Sequence, residues 1–141
     1  MFLDASVVAA VLLQEEDGPA FLKAMEAARG TLRYSPIVRL EATLALVRKR
    51  VERRGKGPAT AEDFAAATEL VDELLKALEA KEMHITGGMG AEAIRALSVY
   101  GKVVGHPAQL NMGDALSYAC AKAYHVPLLY KGDDFSKTDL A

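Results

Sequence analysis

The sequence predicts an α/β fold: one domain of 141 residues whose central parallel sheet, of four to five short strands, is flanked by helices. Short apolar runs of strand length alternate along the chain with longer amphipathic stretches of helical period, which is typical of parallel α/β sheets. The length suits one domain, and no internal repeat, low-complexity tract or long linker divides the chain. We therefore treat residues 1–141 as a single folding unit.

The first half of the chain predicts two strands and three helices. The strands cover about residues 1–4 and 31–34, and the helices cover about residues 6–14, 17–29 and 36–53. Gly30 ends the second helix, and Pro36 suits the first turn of the third because that turn needs no backbone N–H. In the third helix an apolar stripe predicts the face that packs into the core. It consists of Ile37, Leu40, Leu44 and Val47.

The second half, after a break at Gly55-Lys56-Gly57-Pro58, predicts three more helices and two more strands. The helices cover about residues 60–80, 91–100 and 111–123, and the strands cover about residues 82–85 and 126–131. Thr60 and Asp63 have the spacing of a capping box. Glycines 87, 88 and 90 match neither a P-loop nor a dinucleotide fingerprint, and we interpret them as a strand-to-helix turn. Apolar faces are predicted at Phe64, Ala67, Val71, Leu74, Leu75 and Leu78 and at Leu116, Ala119, Cys120 and Ala123.

Composition excludes several classes of protein. With 51% hydrophobic residues and a formal net charge of -2, the chain is globular rather than disordered. One cysteine and three scattered histidines allow no internal disulfide and no zinc spacing. The apolar stretch Val7–Leu13 follows Asp4, is short and lacks a basic leader, so it is neither a signal peptide nor a membrane span. We expect a cytoplasmic protein that does not enter a membrane.

Four acidic positions lie next to predicted strand ends or on predominantly apolar helices. Asp4 closes the first strand, and the pair Asp133-Asp134 follows the last. In parallel sheets, ligands gather outside the carboxyl ends of the strands. Glu41 lies one position off the predicted core stripe, and Asp114 lies in the first turn of a helix for which Asn111 is a suitable N-cap. Taken alone, Asp114 is explained more simply as an acid that favours the helix dipole.

Such acids repel one another if they meet in one crevice. Two carboxylates about 4 Å apart repel by about 4 kcal/mol at an effective dielectric constant of about 20, so a cluster either takes up protons or binds a cation. Carboxylate oxygens select Mg²⁺ or Mn²⁺, and Mg²⁺ usually keeps several of its waters. The pattern therefore predicts a site for one of these ions.

Four segments together resemble the PIN-domain ribonucleases, and most closely the VapC-type toxins of bacterial toxin–antitoxin pairs. They are Phe2-Leu3-Asp4-Ala5-Ser6, Leu40-Glu41-Ala42, His106-Pro107-Ala108-Gln109-Leu110-Asn111-Met112-Gly113-Asp114 and Leu128-Leu129-Tyr130-Lys131-Gly132-Asp133-Asp134-Phe135. The resemblance extends from Met1 to about Leu140, although residues 48–80 match in helical character only. The catalytic and metal-binding acids that it identifies are Asp4, Glu41, Asp114 and Asp134, with Asp133 as the alternative to Asp134.

The reaction that this resemblance implies is endonucleolytic hydrolysis of RNA, with one or two Mg²⁺ or Mn²⁺ ions held against the scissile phosphate. Asp4 and Asp114 would be the main ligands, and Asp134 would bind a further ion or act through water. Glu41 would orient or deprotonate the attacking water, and Ser6 would support Asp4 rather than react. No serine or cysteine has an obvious base beside it in the sequence, so no covalent intermediate is expected.

The implied partners are an RNA substrate and a cognate VapB-type antitoxin whose tail blocks the acidic pocket. A homodimer is expected, with part of the apolar face of residues 64–78 as its interface. The basic segment 48–56 is explained most simply as a solvated helix end that complements the helix dipole. The alternative is that it contacts RNA or an acidic partner. An alternative function keeps the fold but treats the acids as a structural cation site, so that the protein is a catalytically silent scaffold or an RNA- or protein-binding module.

Overall fold

The computed structural model describes residues 1–141, in which four short strands alternate with six α-helices. The strands are β1 (Phe2–Leu3), β2 (Arg33–Tyr34), β3 (Lys81–Glu82) and β4 (Leu128–Leu129). The helices are α1 (Ala5–Leu12), α2 (Gly18–Ala27), α3 (Pro36–Arg54), α4 (Ala61–Ala77), α5 (Gly87–Tyr100) and α6 (Met112–Ala123). Short 3₁₀ helices follow α5 and β4, at Lys102–Val104 and Phe135–Lys137. None of the helices combines the length and the apolar character needed to cross a membrane.

All four strands are parallel and have the order β3-β2-β1-β4, which confirms the predicted α/β class. Phe2 pairs with Arg33 on one side and with Leu128 on the other, so β1 is an inner strand. The chain leaves β1 towards β2 and returns on the opposite side of β1 as β4. The topological switch point of the sheet therefore lies at the adjacent strands β1 and β4, and a crevice is expected there outside the carboxyl ends of the strands. Asp4, the residue after β1, lies there.

The core is one main cluster of buried apolar residues to which β1, the loop before β2 and all six helices contribute. Phe2 and Leu3 of β1 are completely buried within it. A smaller cluster surrounds Tyr118 of α6 and Phe135. The Tyr118 hydroxyl donates a hydrogen bond to Asp139 (2.6 Å), which fastens the C-terminal segment to α6.

Helix α3 has two apolar faces, and the sequence prediction assigned the wrong one to the core. The buried residues of α3 are Val38, Ala42, Thr43, Leu46 and Val47. Of the predicted stripe, only Val47 is buried, whereas Ile37 and Leu44 are half-buried and Leu40 is 51% exposed. Those three residues line a pocket. The prediction was wrong because hydrophobic period alone does not distinguish a face that meets the core from one that lines a cavity.

Helix α5 begins four residues earlier than predicted. Thr86 is its N-cap, since the Thr86 hydroxyl accepts a hydrogen bond from the Met89 N–H (3.3 Å). Glycines 87, 88 and 90 therefore lie in the first turns of the helix, and their interpretation as a strand-to-helix turn is wrong. A side-chain cap offsets part of the low helix propensity of glycine.

Three smaller corrections concern residues that face solvent. Strand β3 lies at Lys81–Glu82, not at residues 82–85, and both of its residues are exposed because it pairs only with β2 at the edge of the sheet. Phe64 of α4 is 41% exposed, and Ala123 of α6 is exposed, although the sequence pattern places both on buried faces. Each lies near an end of its helix, where the neighbouring elements do not cover it.

Candidate active site

Three of the predicted acids line a single pocket of about 440 Å³ between α1, α3 and the start of α6. Asp4, Glu41 and Asp114 come from positions far apart in the sequence, and the parallel sheet brings them together at the switch point. The remaining wall is mostly apolar, with one basic residue. It consists of Ala5, Ser6, Ala9, Ile37, Leu40, Leu44, Ala45, Arg48 and Met112.

Asp4 is held rigidly by hydroxyl and amide donors. It is the N-cap of α1, where one carboxylate oxygen accepts hydrogen bonds from the Ser6 N–H (3.0 Å) and the Ser6 hydroxyl (2.6 Å). The other oxygen accepts a hydrogen bond from the Ser117 hydroxyl on α6 (2.8 Å). Asp4 is only 6% exposed. The carboxylate orientation is therefore fixed before any ligand binds.

Ser6 supports Asp4, as the sequence predicted, and also connects it to the end of β4. The Ser6 hydroxyl accepts a hydrogen bond from the Lys131 N–H (3.0 Å) while it donates to Asp4. The Lys131 ammonium group in turn forms ion pairs with Glu15 and Asp17. The Ser6 hydroxyl is therefore engaged in two structural hydrogen bonds, as donor to Asp4 and as acceptor from the Lys131 N–H.

Asp114 is both a helix-capping residue and a member of the pocket. The side chains of Asn111 and Asp114 form a reciprocal capping box at the start of α6, with both hydrogen bonds at 3.0 Å. Burial is the main reason why the pKa of Asp114 is raised to about 6. The charges of Asp4 and Asp134 contribute to this rise, and the hydrogen bond from the Asn111 N–H opposes it. The sequence offered capping and chemistry as alternatives, and the geometry places Asp114 where it can do both.

Glu41 projects from the pocket face of α3 towards the other two acids. Burial and, to a smaller extent, the charges of Asp4 and Asp114 raise the pKa of Glu41 to about 7, against the opposing charge of Arg48. Its carboxyl group packs against the Cα of Gly113: a Cβ atom at position 113 would overlap both carboxylate oxygens of Glu41.

Two residues that support the acids of the pocket were not assigned a role from the sequence. Gly113 leaves the space that the Glu41 carboxyl group fills, and Ser117 holds Asp4 from α6. A signal for both exists in the sequence. Ser117 follows Asp114 by three residues and Gly113 by four, so that it shares a helix face with each of them. What the sequence does not show is that Glu41 and Asp4 lie opposite them.

The fourth acid lies at the margin of the site. Asp134 is exposed, begins the last 3₁₀ helix, and is not part of the pocket wall. Its charge nevertheless contributes to the raised pKa of Asp114, whereas Asp133 does not appear among the groups that do. This favours Asp134 over Asp133 as the acid closer to the site.

The donor set fits a hydrated divalent cation more closely than a fully dehydrated one. No three carboxylate, imidazole or thiolate side chains are arranged here as direct ligands of one ion. Mg²⁺, however, usually keeps several waters and uses only one or two carboxylates directly. Glu41 and Asp114 both have raised pKa values, partly because neighbouring carboxylates repel their charge, and a cation would relieve this repulsion. The acids that could hold such an ion are Asp4, Glu41 and Asp114, with Asp134 at a greater distance.

Known proteins are similar to this chain in sequence and in fold. The PIN domain family model matches residues 1–140. A VapC ribonuclease of Rhizobium meliloti (strain 1021) is 46% identical over 140 residues, which cover 99% of this chain and 98% of the relative. Ribonuclease VapC28 of Mycobacterium tuberculosis (strain ATCC 25618 / H37Rv) is 33% identical over 138 residues, which cover 98% of this chain and 93% of the relative.

A solved structure has the same architecture at low sequence identity. The crystal structure of Mycobacterium tuberculosis VapC20, a sarcin–ricin loop cleaving toxin, matches with a TM-score of 0.68 and 15% identity, over 96% of this chain and 92% of that one. At this identity the match supports the fold, and the relatives of higher identity support the family.

Proposed function

This chain belongs to the PIN-domain family, among its VapC ribonucleases, and we propose that it is a metal-dependent endoribonuclease that acts as the toxin of a type II toxin–antitoxin system. The observation that carries the proposal is the convergence of Asp4, Glu41 and Asp114 on one pocket at the switch point of the sheet. Their negative charge is left without a matching set of cationic side chains, which is typical of a site that recruits a metal ion and does chemistry.

The residues divide the reaction between them. Asp4 and Asp114 would hold a Mg²⁺ or Mn²⁺ ion, with Asp134 in a supporting role at the margin of the site. Such an ion, when bound, shields the phosphate charge and acidifies water. Glu41, which projects from α3 towards Asp4 and Asp114, takes a proton from the attacking water. The water oxygen attacks phosphorus, one phosphodiester P–O bond breaks, and the departing ribose oxygen takes up a proton from solvent, so that one RNA end carries a phosphate monoester and the other a hydroxyl group.

Two hydroxyl groups position Asp4. Ser6 and Ser117 each donate a hydrogen bond to its carboxylate, so both orient this acid and neither is assigned the role of nucleophile. Ser6 binds one carboxylate oxygen of Asp4, and Ser117 fixes the direction of the other.

The direct test is cleavage of RNA by the purified chain, free of antitoxin, in Mg²⁺, Mn²⁺ or EDTA. We expect cleavage only with a divalent ion, and loss of cleavage in Asp4→Asn and Asp114→Asn while both variants keep the thermal unfolding midpoint within a few degrees. Asparagine at position 4 retains an N-cap for α1. Full activity in EDTA, or in either variant, would rule out the metal mechanism.

The neighbouring acids Asp133 and Asp134 provide a matched pair of controls. Both are exposed and adjacent, so either substitution has little effect on folding. We expect Asp134→Asn to lower the rate of cleavage and Asp133→Asn to leave it close to that of the parent protein. The reverse result would assign the fourth acid to Asp133.

The toxin role is tested in cells, where the protein works in the cytoplasm against a cognate VapB-type antitoxin. Expression of the chain alone is expected to arrest growth and to create new RNA ends, whose sequences identify the target. Co-expression with the antitoxin is expected to prevent both effects. No arrest and no new ends would favour the alternative function, a catalytically silent PIN scaffold.

We also propose a homodimer, and the exposed apolar residues define two candidate surfaces. On the predicted surface, Phe64 and Leu70 of α4 are 41% and 45% exposed. Around α5 and the 3₁₀ helix after it, Ile94 and Val103 are 72% and 86% exposed. Light scattering on Phe64→Lys and Val103→Lys variants distinguishes them, because only a charge inside the interface converts a dimer to a monomer.

A further inference from the structure

The basic residues in the second half of α3 differ in whether the protein provides them with a partner. Arg50 and Arg54 both bind the carboxylate of Asp63, at 3.2 and 3.0 Å. Lys49 pairs with Glu52 (3.4 Å) on the helix surface. Two further arginines, Arg48 and Arg53, form no hydrogen bond or ion pair, and of these only Arg48 lines the acidic pocket.

The helix geometry directs Arg48 towards the acids. Arg48 follows Glu41 by seven residues, which is two turns, so both lie on the same face about 10 Å apart along the axis. Side chains of a helix lean towards its N-terminus, and the guanidinium group of Arg48 therefore reaches back in the direction of Glu41. Leu44 and Ala45 lie between them and form an apolar floor to the pocket.

We propose that Arg48 binds an RNA phosphate next to the scissile one, and so anchors the substrate strand along the pocket face of α3. This inference rests on the proposed ribonuclease function. A pocket lined by three acids in a chain of net charge -2 repels a polyanion, so the strand needs a local cation to approach it. The planar guanidinium group suits this role because it donates two parallel hydrogen bonds to a phosphate.

An unpaired arginine beside acids has one competing role, which is to neutralise Glu41. The two roles predict different behaviour when Arg48 is removed. Loss of a phosphate contact weakens RNA binding and reduces its dependence on salt. If Arg48 instead neutralises Glu41, its removal alters the pH dependence of cleavage. RNA affinity then stays unchanged, or rises when Glu41 takes up a proton.

The experiment compares the parent protein with Arg48→Ala, Arg48→Lys and Arg53→Ala. Arg53 is the matched control because it is an unpaired, exposed arginine of the same helix that does not line the acidic pocket. Affinity for a short, fluorescein-labelled, random-sequence single-stranded RNA pool is measured by anisotropy in Ca²⁺ over a range of salt concentrations. The rate of cleavage of the same pool is measured in Mg²⁺ or Mn²⁺.

We expect Arg48→Ala to weaken RNA binding by about tenfold, as for the loss of a charge-assisted hydrogen bond, and to reduce the salt slope by about 0.7. Arg53→Ala is expected to bind within about twofold of the parent protein, since one solvated charge away from the strand contributes little. Arg48→Lys is expected to recover part of the affinity, because lysine keeps the charge without the bidentate geometry.

Equal affinities for Arg48→Ala and Arg53→Ala would overturn the inference, as would an unchanged affinity with a shifted pH profile of cleavage. Weaker binding of a purified antitoxin with unchanged RNA binding would assign Arg48 to that partner instead and would equally overturn it. The binding measurements decide the role of Arg48, whereas absence of cleavage by the parent protein in Mg²⁺ and Mn²⁺ would count against the ribonuclease function itself.

Discussion

Helix α3 contacts two sites that bury acidic side chains, and the two sites shift the pKa values of their acids in opposite directions. Near its C-terminal end, the side chain of Asp63 is 2% exposed and binds both Arg50 and Arg54. The hydrogen bonds from Arg54, Thr60 and Arg50 hold the pKa of Asp63 well below its usual range. In the pocket, Glu41 and Asp114 have pKa values raised to about 7 and about 6, because burial and neighbouring acids are not balanced by cations.

The difference separates an acid that stabilises the fold from acids to which we assign a role in the proposed reaction. Asp63 completes the capping box of α4 and joins it to α3, so its hydrogen bonds offset the cost of burying its charge and favour the folded state. Glu41 and Asp114 cost free energy in the absence of a ligand. Groups with raised pKa values in a pocket are typical of functional sites, since the missing compensation is supplied by a metal ion or a substrate.

Glu41→Gln has the largest expected effect, and it falls on activity. The substitution removes the proposed base but keeps the shape of the side chain, so we expect cleavage to slow by about 10²- to 10³-fold. Stability is expected to stay the same or to rise, because the repulsion from Asp4 and Asp114 disappears. Cleavage rate and thermal midpoint are measured on the same preparation. A large fall in the midpoint would show that Glu41 supports the fold as Asp63 does.

Asp63→Ala is the opposite case and acts on stability. It removes the capping-box carboxylate of α4 and leaves Arg50 and Arg54 without their shared partner, so we expect the thermal midpoint to fall by about 5 °C. Cleavage per folded molecule at a temperature well below the midpoint is expected to be unchanged. A loss of activity in the fully folded variant would contradict the separation of the two sites.

Gly113→Ala tests whether the position of Glu41 matters for activity, because it changes the pocket without removing any acid. The new Cβ atom overlaps the Glu41 carboxyl group, which must move, whereas alanine is a better helix former than glycine. We expect activity to fall about tenfold while the thermal midpoint is maintained or slightly raised. Gly90→Ala in α5 is the control, since its Cβ atom meets nothing within 4 Å. Equal activity of the two variants would show that Glu41 is not positioned through Gly113.

The smallest expected effect is the dependence of stability on pH. Glu41 and Asp114 have usual pKa values of 4.5 and 3.8, and the folded protein raises them to about 7 and about 6. Between these values the folded state binds more protons than the unfolded state, so their contribution to stability falls as pH rises from about 4 to 7. We expect Mg²⁺ to reduce this fall by neutralising the carboxylates.

Thermal midpoints measured across that pH range, in EDTA and in Mg²⁺, test the dependence. Glu41→Gln is expected to show a smaller fall with pH than the parent protein in EDTA, because one of the two groups no longer titrates. An identical pH profile in the variant, or no response to Mg²⁺, would show that the two carboxylates are already compensated in the folded protein.

Much of the fold follows from local sequence. The caps of α3, α4 and α6 are local features that involve residues three apart, and the order of strands and helices follows from the alternation of short and long apolar stretches. The candidate acids were also found from the sequence, since Asp4 follows a strand and Asp114 starts a helix. The position of Glu41 in its helix showed only an acid that fits neither the core nor the surface, and its candidate role came from the resemblance to the PIN-domain ribonucleases.

The tertiary structure decided which surfaces meet, and this depends on packing between distant segments. The sequence alone determined where α3, α4 and α6 begin and which acids are available, because capping and hydrophobic period act over a few residues. It did not determine that Leu40 and Leu44 line a pocket rather than the core, that Gly113 makes room for Glu41, or that Arg48 is left unpaired beside the acids while Arg50 and Arg54 bind Asp63. Period and spacing describe one element at a time, whereas cavities and unpaired charges arise only where several elements pack together.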